Sequence, residues 1–147
     1  MDPMRAMEAL SQLEEMALTK LVSGDHPVLV ALQRQLVGAA VESRRFTGVG
    51  FFVHLRLRSD AQPIEKGRVV VSGVHVSLAG MEHGAGFVLF TKNGLADTLE
   101  GYSLSGEPWP SGSPSILSID FDKQREADIG VLGSSGAQSQ KAPKTSR

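Results

Sequence analysis

Apolar residues recur at three- and four-residue intervals near the start of the chain and at every second position from Phe46 onward. The chain therefore opens helical and continues as strands. Met7, Leu10, Leu13, Ala17 and Leu21 share one side of a helix predicted over residues 4–22, with Glu8, Glu14 and Glu15 elsewhere and Gly24 as its stop. Asp25-His-Pro27 reads as a second start, with Asp25 or His26 as the cap and proline in the first turn. The stripe Val28, Leu29, Leu32, Leu36, Ala39 and Ala40 carries this helix to about Glu42-Ser-Arg-Arg45.

From Phe46, the residues Thr47, Val49, Phe51, Val53, Leu55 and Leu57 fall on one face of a strand reaching Arg58. Phe46, Gly48, Gly50, Phe52, His54, Arg56 and Arg58 fall on the other, apolar early and basic late, so the strand leaves the core partway along. Asp60-Ala-Gln-Pro63 is a turn or loop. A second strand covers 68–79. Its buried parity switches at Gly73, where a bulge would return Val69, Val71, Val74, Val76 and Leu78 to one face. Strands over 85–92 and 95–104 flank Asn93-Gly94, a dipeptide suited to a tight hairpin turn. Glu107-Pro-Trp-Pro-Ser-Gly-Ser-Pro114 carries too much proline for a ladder. A last strand over 116–122 places Leu117, Ile119 and Phe121 inward and Ser118, Asp120 and Asp122 outward.

With no helix between the strands, the expected class is α+β: two N-terminal helices packed on an antiparallel sheet of about five meandering strands. Residues 1–122 form a single domain. Residues 123–147, rich in Ser, Gly, Gln, Lys and Ala, read as a disordered tail with one short apolar island, Ile129-Gly-Val-Leu132.

Composition narrows the functional classes. The tail holds five basic and two acidic residues, so the net charge of −1 leaves −4 on the remainder. A mildly acidic body suits a basic partner and gives no drive toward nucleic acid or an anionic membrane. Arg44, Arg45, Arg56, Arg58 and Arg68 read as a charged sheet edge rather than a nucleic-acid patch. The chain has no cysteine, which excludes disulfides, thiolate metal sites and cysteine nucleophiles. No apolar run approaches the ~20 residues of a membrane helix. Met1-Asp-Pro-Met-Arg5 lacks a basic region leading into an apolar one, so a cytoplasmic protein is expected.

Catalytic motifs are incomplete. The histidines are His26, His54, His75 and His83, none in His-Glu-x-x-His. A metal centre would have to join His54 and His83 with Glu82 or Glu100 across strands, and ordinary strand and turn histidines are the expectation. Gly101-Tyr-Ser-Leu-Ser-Gly106 misses the nucleophile-elbow spacing by one residue, and every histidine precedes Ser103. Gly48-Val-Gly50 and Gly84-Ala-Gly86 lack the third glycine and following helix of a dinucleotide fingerprint. No metal or cofactor is expected. His83 and Glu100 are the catalytic candidates, Glu100 as a general base.

What stands out is a string of glycine- and aromatic-bearing segments: Phe46-Thr-Gly-Val-Gly-Phe-Phe52, Glu82-His-Gly-Ala-Gly-Phe-Val-Leu-Phe90, Leu99-Glu-Gly-Tyr102 and Gly106-Glu-Pro-Trp-Pro110. Interior glycines weaken strands, so repeated use implies bulges, bends or close approach. Trp109, held between prolines, is either a lid over the open end of the core or a partner-binding anchor. Over about residues 24–122 these motifs resemble a family of small uncharacterised bacterial proteins. The resemblance brings no activity; by analogy of type it implies an immunity or accessory protein of a toxin system.

The expected function is a non-catalytic binding module, immunity-like or adaptor, with Phe52, His83, Glu100, Tyr102, Glu107 and Trp109 as contacts for a protein partner. The alternative is a small hydrolase or isomerase using His83 with Glu100. A third reading leaves the glycines to sheet curvature and homodimer packing. The question posed to the structure is whether the glycines open space for a ligand or for Phe51, Phe87, Tyr102 and Trp109.

Overall fold

The computed structural model describes residues 8–122. It has two helices, α1 (Gln12–Leu21) and α2 (Pro27–Leu36), and six strands: β1 (Ala40–Phe46), β2 (Gly50–Arg56), β3 (Val70–Leu78), β4 (Ala85–Lys92), β5 (Leu95–Ser103) and β6 (Ile116–Phe121). The strands form one antiparallel sheet in the order β1-β2-β5-β4-β3-β6. α1 packs on β3, β4 and β6, and α2 on β5. Both helices bury their apolar sides against the sheet face that carries Phe51, Val53, Val71, Val74, Val76, Phe87, Leu89 and Leu99. The fold is α+β, as the period change predicts. The tail and the first residues of the expected N-terminal helix lie outside the described residues.

Three departures have local causes. α1 begins at Gln12, because Ser11 caps it in a reciprocal box with Glu14. Glu8 is instead bridged to Val41, whose N–H donates to its carbonyl at 2.7 Å. α2 starts as expected, with His26 as cap and Pro27 at its first position, but it stops at Leu36 rather than near Glu42. Val37 turns extended and Gly38 takes φ +78°, so Ala40 and Val41 enter the sheet as a sixth strand, β1. Its alternation is hidden in the sequence by a register shift between Val41 and Ser43. At the other edge, the register shifts where Leu78 faces Ile116 and Ser77 faces Ser118. The shift turns Ile116 to the side of Ile119, so both reach the core, while Leu117, expected inward, is 65% exposed; Phe121 shares the face of Ile119 but, at the end of the edge strand, is still 45% exposed.

The bulge at Gly73 forms with φ +93°, between the pairs Val71–Leu89 and Val74–Phe87. All five expected residues of 69–78 are buried. Asn93 and Gly94 both take positive φ and close the β4–β5 hairpin.

The sheet is not a simple meander. β2 lies beside β5 and β3 beside β6, so residues 57–69 and 104–115 each cross two strands. The first crossing is held by Gln35, 2% exposed, whose amide donates to the carbonyls of Gln62 and Gly94 and accepts from the Ala96 N–H. Every polar atom of this buried amide works, which is what keeps its desolvation from costing stability. The second crossing carries Trp109 to the end of the core.

Candidate functional site

The glycine-aromatic segments meet in one place. Across β2, β5 and β4, Gly50 faces Tyr102, which faces Gly86, while Phe51 faces Gly101, which faces Phe87. Three Gly-aromatic dipeptides thus stand in register, and because side chains alternate between faces they form a checkerboard. On the helix-covered face the row reads Phe, Gly, Phe; on the opposite face it reads Gly, Tyr, Gly. A Cβ on Gly101 would lie 2.7 Å from the Phe87 ring and 2.8 Å from the Phe51 ring. A Cβ on Gly86 would lie 2.6 Å from the Tyr102 ring, and one on Gly50 would run into the Gly101 carbonyl. At the neighbouring turn, Gly84 makes way for His75, whose Nε2 would be 2.7 Å from a Cβ there. These glycines do not line a cavity. They let large rings lie across the neighbouring strands.

Beneath the checkerboard, Trp109 stacks edge-on against Phe51 and Phe87, with ring centroids 5.3 and 6.5 Å away. Its backbone N–H donates to the Gly48 carbonyl, on the turn before β2. Trp109 therefore closes the open end of the core, the lid of the two roles weighed for it.

Glu107, two residues earlier, ties the second crossing to the β3–β4 turn. Its carboxylate accepts from the N–H groups of Glu82 (2.8 Å) and His83 (3.2 Å) and from the Ser105 hydroxyl (2.8 Å). The Glu82 amide foremost, with Ser105, holds its pKa below the ordinary carboxylate range. His83 Nδ1 stands 3.7 Å from the same carboxylate.

Among the described residues, no helix covers the second face of the sheet. Phe52, Glu100 and Val88 form one row across β2, β5 and β4; His54, Thr98, Phe90 and Val70 form the next. Arg45 of β1 stands opposite Phe52 with its guanidinium 4.8 Å from the ring centroid, a cation–π contact. Phe52, Val88, Phe90, Glu100 and Tyr102 are all half-buried. Burial between these neighbours pushes the Glu100 carboxyl above its ordinary range, and among the described residues no hydrogen bond or cation compensates it.

The structure thus divides the expected contacts into two groups. Phe52, Glu100 and Tyr102 share the helix-free face. His83, Glu107 and Trp109 sit at the end of the sheet. His83 and Glu100 are not brought together: Glu100 pairs with Val88, Ala85 is about 10 Å back along that strand, and His83 precedes Ala85. Val70, Val88 and Phe90 complete the face without being singled out by the sequence, together with Arg45, which the sequence marks only as part of a charged sheet edge. Their signal lies in register across strands, which a single alternating segment does not carry. Arg44 and Arg45 on the edge strand β1 and Arg56 on its neighbour β2 do gather at one edge of the sheet, where Arg44 pairs with Glu14 and Glu8 and Arg56 with Glu42, while Arg58 pairs with Asp60. Among the described residues, no three His, Asp or Glu side chains converge as a metal site requires, and no helix is long and apolar enough to cross a membrane.

No protein-family model matches the chain, and no curated protein or solved structure is found similar to it. The functional reading therefore rests on the chain's own geometry.

Proposed function

We propose that the chain is a non-catalytic binding module, immunity-like or adaptor in type and cytoplasmic in a bacterium, that engages a protein partner through the helix-free face of its sheet. The occupant in this reading is a partner segment that presents a lysine or arginine among apolar side chains. The observation that carries it is Glu100: a carboxylate set between Phe52 and Val88, half-buried and without a cation of its own. A basic group arriving with apolar neighbours would pair with Glu100 and cover Phe52, Phe90 and Val70 in one step, and the −4 charge outside the tail favours its approach. Hydrolase or isomerase chemistry draws no support from the geometry, since His83 is engaged with Glu107 and remote from Glu100.

A randomised peptide library selected on the full-length chain tests the proposal. Enriched peptides should carry Lys or Arg flanked by apolar residues. They should bind Glu100→Gln and Phe52→Ala at least about tenfold more weakly, a loss typical of one charge-assisted contact. Acidic or featureless peptides, or binding indifferent to both substitutions, would overturn it.

A further inference from the structure

Phe52 stands between two opposite charges. Its ladder partners are Arg45 on β1 and Glu100 on β5. The Arg45 guanidinium lies over one face of the ring, 4.8 Å from its centroid. Arg45 and Glu100 are two strands apart, about 10 Å at the usual strand spacing, and the ring between them keeps the two from pairing. One face of Phe52 is thus given to Arg45, and the other is on the side of β5 and Glu100.

Two properties of Glu100 decide which cation suits it. Among the described residues neither carboxylate oxygen accepts a hydrogen bond, so both are open to a pair of donors. Its neighbours on either side, Phe52 and Val88, are apolar and half-buried, so a cation arriving there gives up much of its water. A lysine ammonium is a compact, strongly hydrated point charge and makes poor use of such a place. A guanidinium is more weakly hydrated, stacks on an aromatic face and offers two parallel N–H groups to both oxygens at once. The chain makes each half of that contact itself at the neighbouring edge. Arg45 stacks on Phe52, and Arg44 forks onto Glu14 from Nε at 2.7 Å and Nη2 at 2.8 Å. Repulsion from Arg45 does not cancel the gain. Arg45 is exposed, and a second guanidinium beyond the ring would be about one Debye length (~8–10 Å) away, so the two are largely screened from each other.

Resting on the reading of this face as a partner site, we propose that Phe52 and Glu100 together select arginine over lysine. The partner's guanidinium lies against the second face of Phe52 and forks onto the Glu100 carboxylate. Glu100 supplies the charge that holds a cation, and Phe52 is the residue that determines which cation is preferred.

Two peptides test this, acetyl-Leu-Arg-Leu-amide and acetyl-Leu-Lys-Leu-amide, each titrated into the full-length ¹⁵N-labelled protein. The amides of Phe52, Val88, Glu100 and Tyr102 report the binding. The arginine peptide should bind about three- to fivefold more tightly, the worth of one exposed cation–π stack. Phe52→Leu keeps an apolar flank but removes the ring. In that variant, with the spectrum still dispersed, the preference should vanish while the lysine peptide binds much as before. Equal binding of the two peptides, or a preference that survives Phe52→Leu, would overturn the selection and leave the partner reading standing. Failure of both peptides to shift this face would overturn the two together.

Discussion

Gly86 stands directly across the ladder from Tyr102, and the tyrosine ring fills the space a side chain at Gly86 would need: a Cβ there would lie 2.6 Å from the phenol oxygen. On the other face Gly101 accommodates Phe51 and Phe87 in the same way. The two sites differ in how far their rings can yield. Tyr102 is only half-buried on the helix-free face, whereas Phe51 and Phe87 are buried and backed by Trp109. Gly86→Ala should therefore cost about 1 kcal/mol and Gly101→Ala about 3 kcal/mol, the span of overpacking penalties. Urea unfolding checks both. A double-mutant cycle of Gly86→Ala with Tyr102→Ala should show coupling of at least about 0.5 kcal/mol, because the cost at Gly86 disappears once the ring is gone.

Trp109 as a lid makes a stability prediction that an anchor does not. Trp109→Ala removes the edge-on contacts to Phe51 and Phe87 and opens the end of the core. The expected cost is about 2–3 kcal/mol, below the full-burial range for Trp→Ala because the ring is half-buried. Thermal unfolding followed by far-UV circular dichroism measures it. An unchanged Tm would return Trp109 to the role of a surface anchor.

The sequence was legible where one signal acted alone. His26-Pro27 starts α2, Gly73 bulges β3 and Asn93-Gly94 closes a hairpin, each by a backbone preference readable at one position. It was illegible where the information is pairwise. β1 hides behind a bulge at Glu42, Leu117 is displaced by a second bulge, and the adjacency of β2 with β5 depends on chain ends far apart in sequence. The site behaves likewise. Glycine-aromatic segments can be spotted in a linear scan, but that Gly50, Tyr102 and Gly86 share a row, and that Glu100 falls between Phe52 and Val88, is a property of register.

Glu100 and Glu107 should oppose each other in pH dependence. Burial raises the folded pKa of Glu100. Its ionised form therefore costs stability above that folded value, and the cost is relieved as the pH falls toward the unfolded carboxyl pKa. Glu100→Gln should stabilise the protein at pH 7, with solvent screening at a half-buried site keeping the gain to about 0.5 kcal/mol. The gain should close as the pH falls through the two values. Glu107, held low by the Glu82 amide and Ser105, stabilises above the unfolded pKa and loses that contribution as the pH drops through its depressed folded one. Glu107→Ala should speed amide exchange at Glu82 and His83 at pH 7 and change little at the acid end. Denaturant midpoints and hydrogen exchange across pH 3–7 read both signs.

The Arg44–Glu14 pair joins the β1 edge to the start of α1. Arg44 donates from Nε to Glu14 Oε2 at 2.7 Å and from Nη2 to Oε1 at 2.8 Å, and a third bond reaches Glu8. The bonds to Glu14 first, then Glu8, hold its guanidinium more firmly protonated than usual. Glu14 itself is 4% exposed and also completes the capping box with Ser11. Removing the cation strands a buried carboxylate, so Arg44→Met should cost about 3 kcal/mol. Arg44→Lys keeps the charge but loses the planar fork, and should cost about 1–2 kcal/mol. If the penalty arises from the stranded charge rather than from lost packing, adding Glu14→Gln to Arg44→Met should recover more than half of it. The glutamine can still accept from Ser11 and needs no cation. Urea unfolding of the three variants separates the two causes, and a double variant no more stable than Arg44→Met alone would locate the loss in the packing of the arginine stem.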